Sequence, residues 1–166
     1  MSKPLKTLLF RWLPLFLWAV IIFILSNEPN PYSHIPGRLY SWLWWTKLFG
    51  QSLIFYLGGI SHVLEYTILS YLLARALLWR GEYNRGQLFK VIFLTLLYAF
   101  TDEFHQSFIP GRAFQLIDLV LDTLGSFFGT AIYLLYLKRA EINQSRFMQV
   151  LRSLPSRCKK WKINRT

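Results

Sequence analysis

Apolar positions gather into four long runs, at residues 8–26, 53–79, 88–108 and 114–137, separated by polar or aromatic-rich segments. Each run approaches the ~20 apolar residues that an α-helix needs to cross a bilayer. The first follows Lys3, Lys6 and Arg11, as the core of a signal peptide would, but the stretch ILSNEPNP at its end lacks the small residues of a cleavage site. It therefore reads as a spanning helix. Between the first two runs, residues 27–52 contain LYSWLWWTKLF, whose crowded Trp and Tyr suit a short helix at the membrane–water boundary. The pattern predicts an all-α fold: a four-transmembrane-helix bundle over residues 1–137 with a short outer interfacial helix, then a basic cytoplasmic tail over 138–166.

Charge sets the expected orientation. With the N-terminus inside, the cytoplasmic segments hold Lys3, Lys6, Arg11, Arg80, Arg85, Lys90 and the nine cations of the tail, while Arg38, Lys47 and Arg112 lie outside. The reverse orientation would translocate most of the positive charge. Both termini are thus expected in the cytoplasm. Composition agrees with a membrane setting, since 54% hydrophobic and 18% aromatic residues exceed what a soluble domain of 166 residues can hide. In the tail, Phe147, Val150, Leu151 and Leu154 recur at helical spacing, which suits an amphipathic helix on anionic lipid. The expected partners are membrane lipids. The net charge of +11 comes without a nucleic-acid motif, so nucleic acid is not an expected partner. The single cysteine, Cys158, excludes an intramolecular disulfide and a cysteine-based zinc site.

Five of the eight acidic residues, Glu65, Asp102, Glu103, Asp118 and Asp122, fall within the apolar runs or at their edges. Isolated charges at such depth cost from ~2.5 kcal/mol upward each, so they should face the bundle interior, water or a partner. The topology places them at one depth. His62, Glu65 and Tyr66 lie in the outer half of the second helix, Asp102, Glu103, His105 and Gln106 at the outer end of the third, and Asp118 and Asp122 in the first turns of the fourth. Asp118, Asp122, Gly125 and Gly129 form one narrow stripe, with polar groups above and close-packing glycines below. Thr95, Tyr98, Asp102 and Gln106 form another, and Glu103 sits about a quarter-turn from it. Arg112 follows a Pro-Gly turn at the same surface. The tetrapeptide Ile-Pro-Gly-Arg occurs twice, at 35–38 and 109–112, as a relic of duplication or as turn chemistry.

The blocks GISHVLEYTILSYLL and YAFTDEFHQSFIPGRAFQLIDLVLDTLGSFFG resemble the VanZ-like family of bacterial integral membrane proteins. Its pattern of His-x-x-x-Tyr, Asp-Glu-x-x-Gln, Pro-Gly-Arg and Asp-x-x-x-Asn-x-x-Gly is met by His62, Tyr66, Asp102, Glu103, Gln106, Pro110, Gly111, Arg112, Asp118, Gly125 and Gly129. Ser61 stands where lysine is common and Asp122 where asparagine is usual, so this chain carries more negative charge. The resemblance covers about residues 10–137. It implies a multi-pass protein of the cell membrane, from a family whose founding member is linked to resistance against teicoplanin-type glycopeptide antibiotics, and it implies no settled reaction.

Three readings of the polar cluster stay open on sequence. It handles a lipid-linked or peptidoglycan-related molecule of the cell envelope, or excludes an antibiotic from it. Alternatively it belongs to a hydrolase or transferase acting on an outer-leaflet lipid phosphate, with Asp118 or Glu103 as base, His62 as proton shuttle and Arg112 as charge stabiliser. Or it is a structural network that locks helix register. No cofactor is expected. A divalent metal has a weaker case, in which His62-x-x-Glu65 and Asp102-x-x-His105 each put a carboxylate and an imidazole on one helical face, with Asp118 and Asp122 completing the shell.

Overall fold

The computed structural model describes residues 3–78 and 83–153. Its elements, in order, are α1 (Lys3–Ser26), α2 (Gly37–Trp45), β1 (Lys47–Leu48), β2 (Gln51–Ser52), α3 (Leu53–Leu77), α4 (Arg85–Gln106) and α5 (Leu116–Ser153). By packing, the chain divides into Met1–Tyr133 and Leu134–Thr166. In the first unit, α1, α3, α4 and the start of α5 surround a core of Ile22, Tyr66, Leu69 and Ala99, with Leu15, Trp18, Tyr98 and Leu119 against it.

The fold is all-α apart from one minimal hairpin. Among the described residues three helices are long and apolar enough to cross a membrane, over Thr7–Ser26, Leu53–Leu77 and Leu116–Gln149. The fourth expected crossing, α4, does not reach that threshold: its 22 residues carry Arg85, Lys90, Asp102 and Glu103. Polarity is inverted relative to a soluble domain. Glu103, Asp122, Ser70 and Ser126 are completely buried, whereas Phe10, Phe16, Ile24, Phe89 and Leu116 are among the most exposed side chains. Ordinary domains show the reverse, and an apolar exterior this extensive requires an apolar solvent.

Helix ends depart from the apolar runs for local reasons. α4 begins at Arg85 because Asn84 and Gln87 form a reciprocal capping box, each side chain accepting from the other's backbone N–H. It ends at Gln106 as the chain tightens towards Pro110, where Arg112 N–H bonds back to Ile109 O at 3.0 Å and Gly111 takes φ +84°. This is a type II turn. The same tetrapeptide at 35–38 does something else: Pro36 caps α2 and Gly37 is its first residue. Two conformations for one motif favour turn chemistry over duplication.

α5 runs past 137 to Ser153 because no Gly or Pro interrupts residues 130–153. Side chains beyond Gln149, and all of 154–166, lie outside the described residues, which leaves out Val150, Leu151 and Leu154 of the expected amphipathic stripe and most of the basic tail. The aromatic loop is shorter in helix than LYSWLWWTKLF suggested. α2 ends at Trp45, and Lys47–Leu48 pairs with Gln51–Ser52 across a turn in which Phe49 and Gly50 both have positive φ.

α1 and α3 are joined at the end opposite the acidic residues. Pro14 has no N–H, so the carbonyl of Phe10 loses its helical partner. Arg75 Nη2 fills that vacancy at 2.7 Å and lies over the Phe10 ring, while Arg11 reaches the Ala76 carbonyl. In an apolar solvent such a freed carbonyl must be satisfied by the protein itself.

Candidate functional site

The site forms where α1 and α4 finish and α3 and α5 begin. Asp118 and Asp122, one turn apart on α5, project to the same side and meet His62 of α3. His62 Nδ1 lies 3.0 Å from Asp122 Oδ1, and Nε2 lies 3.7 Å from Asp118 Oδ2. The Asp122 side chain is fully buried, while those of His62 and Asp118 keep 13% and 15% exposure, so the imidazole is approached from the Asp118 side.

Glu103 enters from α4. One residue beyond Asp102, it is turned by ~100° about the helix, away from the Asp102 network and towards α5. Its Oε2 accepts from Gln115 N–H at 2.9 Å, so a carboxylate from another helix caps the start of α5, where the helix dipole favours negative charge. Donor atoms of His62, Glu103 and Asp118 all lie within 4.8 Å of one another. Glu103 Oε1 and Asp122 Oδ2 are buried without a hydrogen-bond partner among the described residues.

A second group sits beside the first and ties three helices together. Asp102 Oδ2 accepts from Ser26 Oγ at 2.8 Å, Gln106 Nε2 at 3.1 Å and Tyr66 OH at 3.3 Å. Gln106 Nε2 also donates to Ser26 Oγ at 3.2 Å. Every member is buried. A satisfied network of this kind fixes register, so Asp102, Tyr66 and Gln106 are explained by structure alone.

Below both groups, α3 and α5 touch backbone to backbone. A Cβ at Gly125 would stand 2.6 Å from Val63 O, and one at Gly129 would collide with Thr67 O even more closely. That proximity lets Ser70 Oγ donate to Ser126 O at 2.8 Å and pair with Thr130 Oγ1 at 2.9 Å. At both glycines the backbones stand too close to admit a side chain without a shift.

Not every expected residue joins. His105 packs its ring on Phe23 of α1 at 4.8 Å and makes no hydrogen bond with Asp102. The half-buried Glu65 carboxylate forms no hydrogen bond or ion pair among the described residues, although its backbone carbonyl accepts from Trp18 Nε1 at 2.9 Å. The two paired motifs suggested for a metal therefore do not assemble, and His62, Glu103 and Asp118 come together instead. No ion pair joins Arg112 to Asp102 or Asp118 within 4.0 Å among the described residues. Its Nε is buried and without a partner there.

Two residues outside the predicted set, Ser26 and Tyr32, also belong to the polar end. Ser26 ends α1 at the depth of Asp102, a signal that was readable. Tyr32 lies in the loop after α1, with its hydroxyl against Gly58 and with Arg112 and Asp118 as electrostatic neighbours. Burial raises its phenol above the usual range, against the pull of Arg112, so it stays a proton donor.

No curated protein and no solved structure matches the chain. The VanZ/LLP1 family model matches residues 10–137, a span that includes every residue of both polar groups. Helices apolar enough to span a bilayer and a family match over well over half of the sequence agree: the chain is a membrane protein and belongs to the VanZ/LLP1 family.

Proposed function

We propose that this is a four-crossing protein of the bacterial cytoplasmic membrane, with α4 as the fourth crossing, both termini in the cytoplasm and the acidic end facing outwards. There it holds the polar part of a lipid-linked or peptidoglycan-related envelope molecule, and through that role it contributes to glycopeptide tolerance. One observation carries the reading: three ionisable side chains gathered at the acidic end of the bundle, Glu103, Asp122 and Arg112, each hold a buried atom (Oε1, Oδ2 and Nε) without a partner among the described residues, where elsewhere in the α3–α5 seam it is the uncharged Ser126 Oγ that does so. A purely structural network satisfies its buried groups, as the Asp102 group does, and groups left over point to a ligand. The Arg112 guanidinium suits a phosphate or carboxylate, and the carboxylates suit hydroxyl and amine donors. Burial of Asp102 and Glu103 supports α4 as a crossing, since inside the bundle neither meets lipid.

The His62–Asp122 pair favours a second reading, a hydrolase or transferase acting on a lipid phosphate. A carboxylate bonded to Nδ1 fixes the imidazole and leaves Nε2 to move a proton. A topology reporter fused after Arg112 should be active only outside the cytoplasm, and activity only inside would invert the orientation. Deletion and re-expression, with glycopeptide susceptibility and total envelope lipids measured together, tests the role. A changed susceptibility or lipid profile is expected, accumulation of an unprocessed lipid phosphate would select the enzyme, and no change in either would refute the envelope reading.

A further inference from the structure

We propose that His62, Glu103 and Asp118 bind one divalent transition-metal cation, Zn2+ or Mn2+, with Asp122 as the positioning residue behind His62. The inference rests on reading the cluster as a site and names what that site holds first.

Three observations converge. The donor atoms of the three residues lie within 4.8 Å of one another and come from three different helices, α3, α4 and α5. Around a cation bound at ~2.1 Å, ligands stand roughly 3.3 Å apart, so side-chain rotation closing the gap by about 1.5 Å completes the set. Glu103 Oε1 is fully buried and has no hydrogen-bond partner among the described residues, while its sister oxygen is engaged by Gln115 N–H. Finally, His62 Nδ1 lies 3.0 Å from Asp122 Oδ1, where an ionised Asp122 accepts from the tautomer that carries its proton on Nδ1. A carboxylate on one imidazole nitrogen is the standard support of a metal-bound histidine, because it holds the lone pair of the other nitrogen outward. Here that nitrogen is Nε2, 3.7 Å from Asp118 Oδ2.

That last distance discriminates between alternatives. A neutral His62 held by Asp122 turns a lone pair towards a carboxylate, an arrangement that is repulsive without a cation between them. An imidazolium relieves the contact by donating from both nitrogens, but it leaves Glu103 Oε1 buried and unpaired. A divalent cation satisfies Nε2, Asp118 and Glu103 together. The imidazole nitrogen favours Zn2+, and the two carboxylates also admit the harder Mn2+, whereas Ca2+ and Mg2+ take oxygen ligands. Three protein ligands also leave a coordination position on the Asp118 side, where a phosphate or carboxylate oxygen of an envelope molecule can bind.

The test uses the full chain, free of any purification tag, in detergent micelles after chelator treatment and dialysis. Zn2+ and Mn2+ are titrated separately, with bound metal read by elemental analysis and the thermal midpoint by tryptophan fluorescence. One equivalent bound and a raised midpoint are expected for wild type. Asp118→Asn should abolish stoichiometric binding, Asp122→Asn should weaken it by about tenfold, and His105→Ala should bind as wild type does. Glu103→Gln should also lose binding. Because Glu103 caps α5, Asp118→Asn carries the test if Glu103→Gln does not fold; its carboxylate takes no hydrogen bond from the described residues. Wild type that binds no metal, or Asp118→Asn that binds one equivalent, would overturn the proposal. Neither result touches the deletion phenotype, so the cation fails separately from the envelope role.

Discussion

Gly129→Ala is expected to lower the stability of the bundle in detergent by about 3 kcal/mol, at the upper end of the range for overpacking a tight contact. The methyl would meet Thr67 O, Tyr71 N at 2.8 Å and Ser70 Cβ at 3.0 Å. Two of these are backbone atoms, and backbone cannot rotate aside as a side chain can. For comparison, Gly125→Ala sets a Cβ 2.6 Å from Val63 O, and a relaxed C···O contact of ~3.3 Å requires the helices to part by roughly 0.7 Å. Gly129 demands more. In lipid or detergent the close fit and the hydrogen bonds it permits are the main attractions between helices, so the loss has no hydrophobic compensation. Parting α3 from α5 would lengthen Ser70–Ser126, Ser70–Thr130 and His62–Asp122 together. Thermal melts and membrane abundance measure the effect, and an unchanged midpoint for Gly129→Ala would contradict the proximity of the two helices. The Gly125→Ala, Gly129→Ala double variant should fall short of the sum of the singles, because opening the interface once relieves both contacts.

Asp102→Ala should be comparably severe, by about 3 kcal/mol, because it strands buried donors that cost ~1–3 kcal/mol each when unsatisfied. Ser26, Tyr66 and Gln106 all donate to one oxygen of this carboxylate. The loss is tempered, since Gln106 and Ser26 keep their mutual bond and a buried charge is removed. Asp102→Asn should be milder, as its amide oxygen still accepts. Both variants should lower the midpoint and abundance in step with any loss of phenotype, the signature of a structural residue. An Asp102→Ala protein of wild-type stability that had lost its phenotype would move Asp102 into the functional group.

Much of this arrangement was legible in the sequence because helical phase and crossing direction are local arithmetic. The stripe Asp118, Asp122, Gly125 and Gly129 follows from spacing alone, and alternating directions bring His62, Asp102 and Asp118 to one depth. Less was legible where a side chain's partner depends on how helices rotate against one another. The quarter-turn that removes Glu103 from the Asp102 stripe turns it towards α5, and only the packed bundle says whether lipid or another helix lies there. His105 shares the segment but turns to Phe23 of α1. Tyr32 was invisible because its loop folds back over α3, which no periodicity encodes. The apolar runs also misplace helix ends, since caps such as Asn84 and uninterrupted polar stretches such as 138–153 extend helices without adding hydrophobicity.

On the proposed function, the polar end of the bundle divides into a structural half around Asp102 and a working half around His62, Glu103 and Asp118. Asp118 tests that division best, because its side chain is partly exposed and makes no hydrogen bond among the described residues. The measurement is complementation of a deletion strain by Asp118→Asn at wild-type membrane abundance and thermal midpoint, with glycopeptide susceptibility and envelope lipids read together. A working role for Asp118 predicts a folded, abundant protein that behaves in both readouts as the deletion does. Full restoration of the wild-type phenotype by that variant would contradict it.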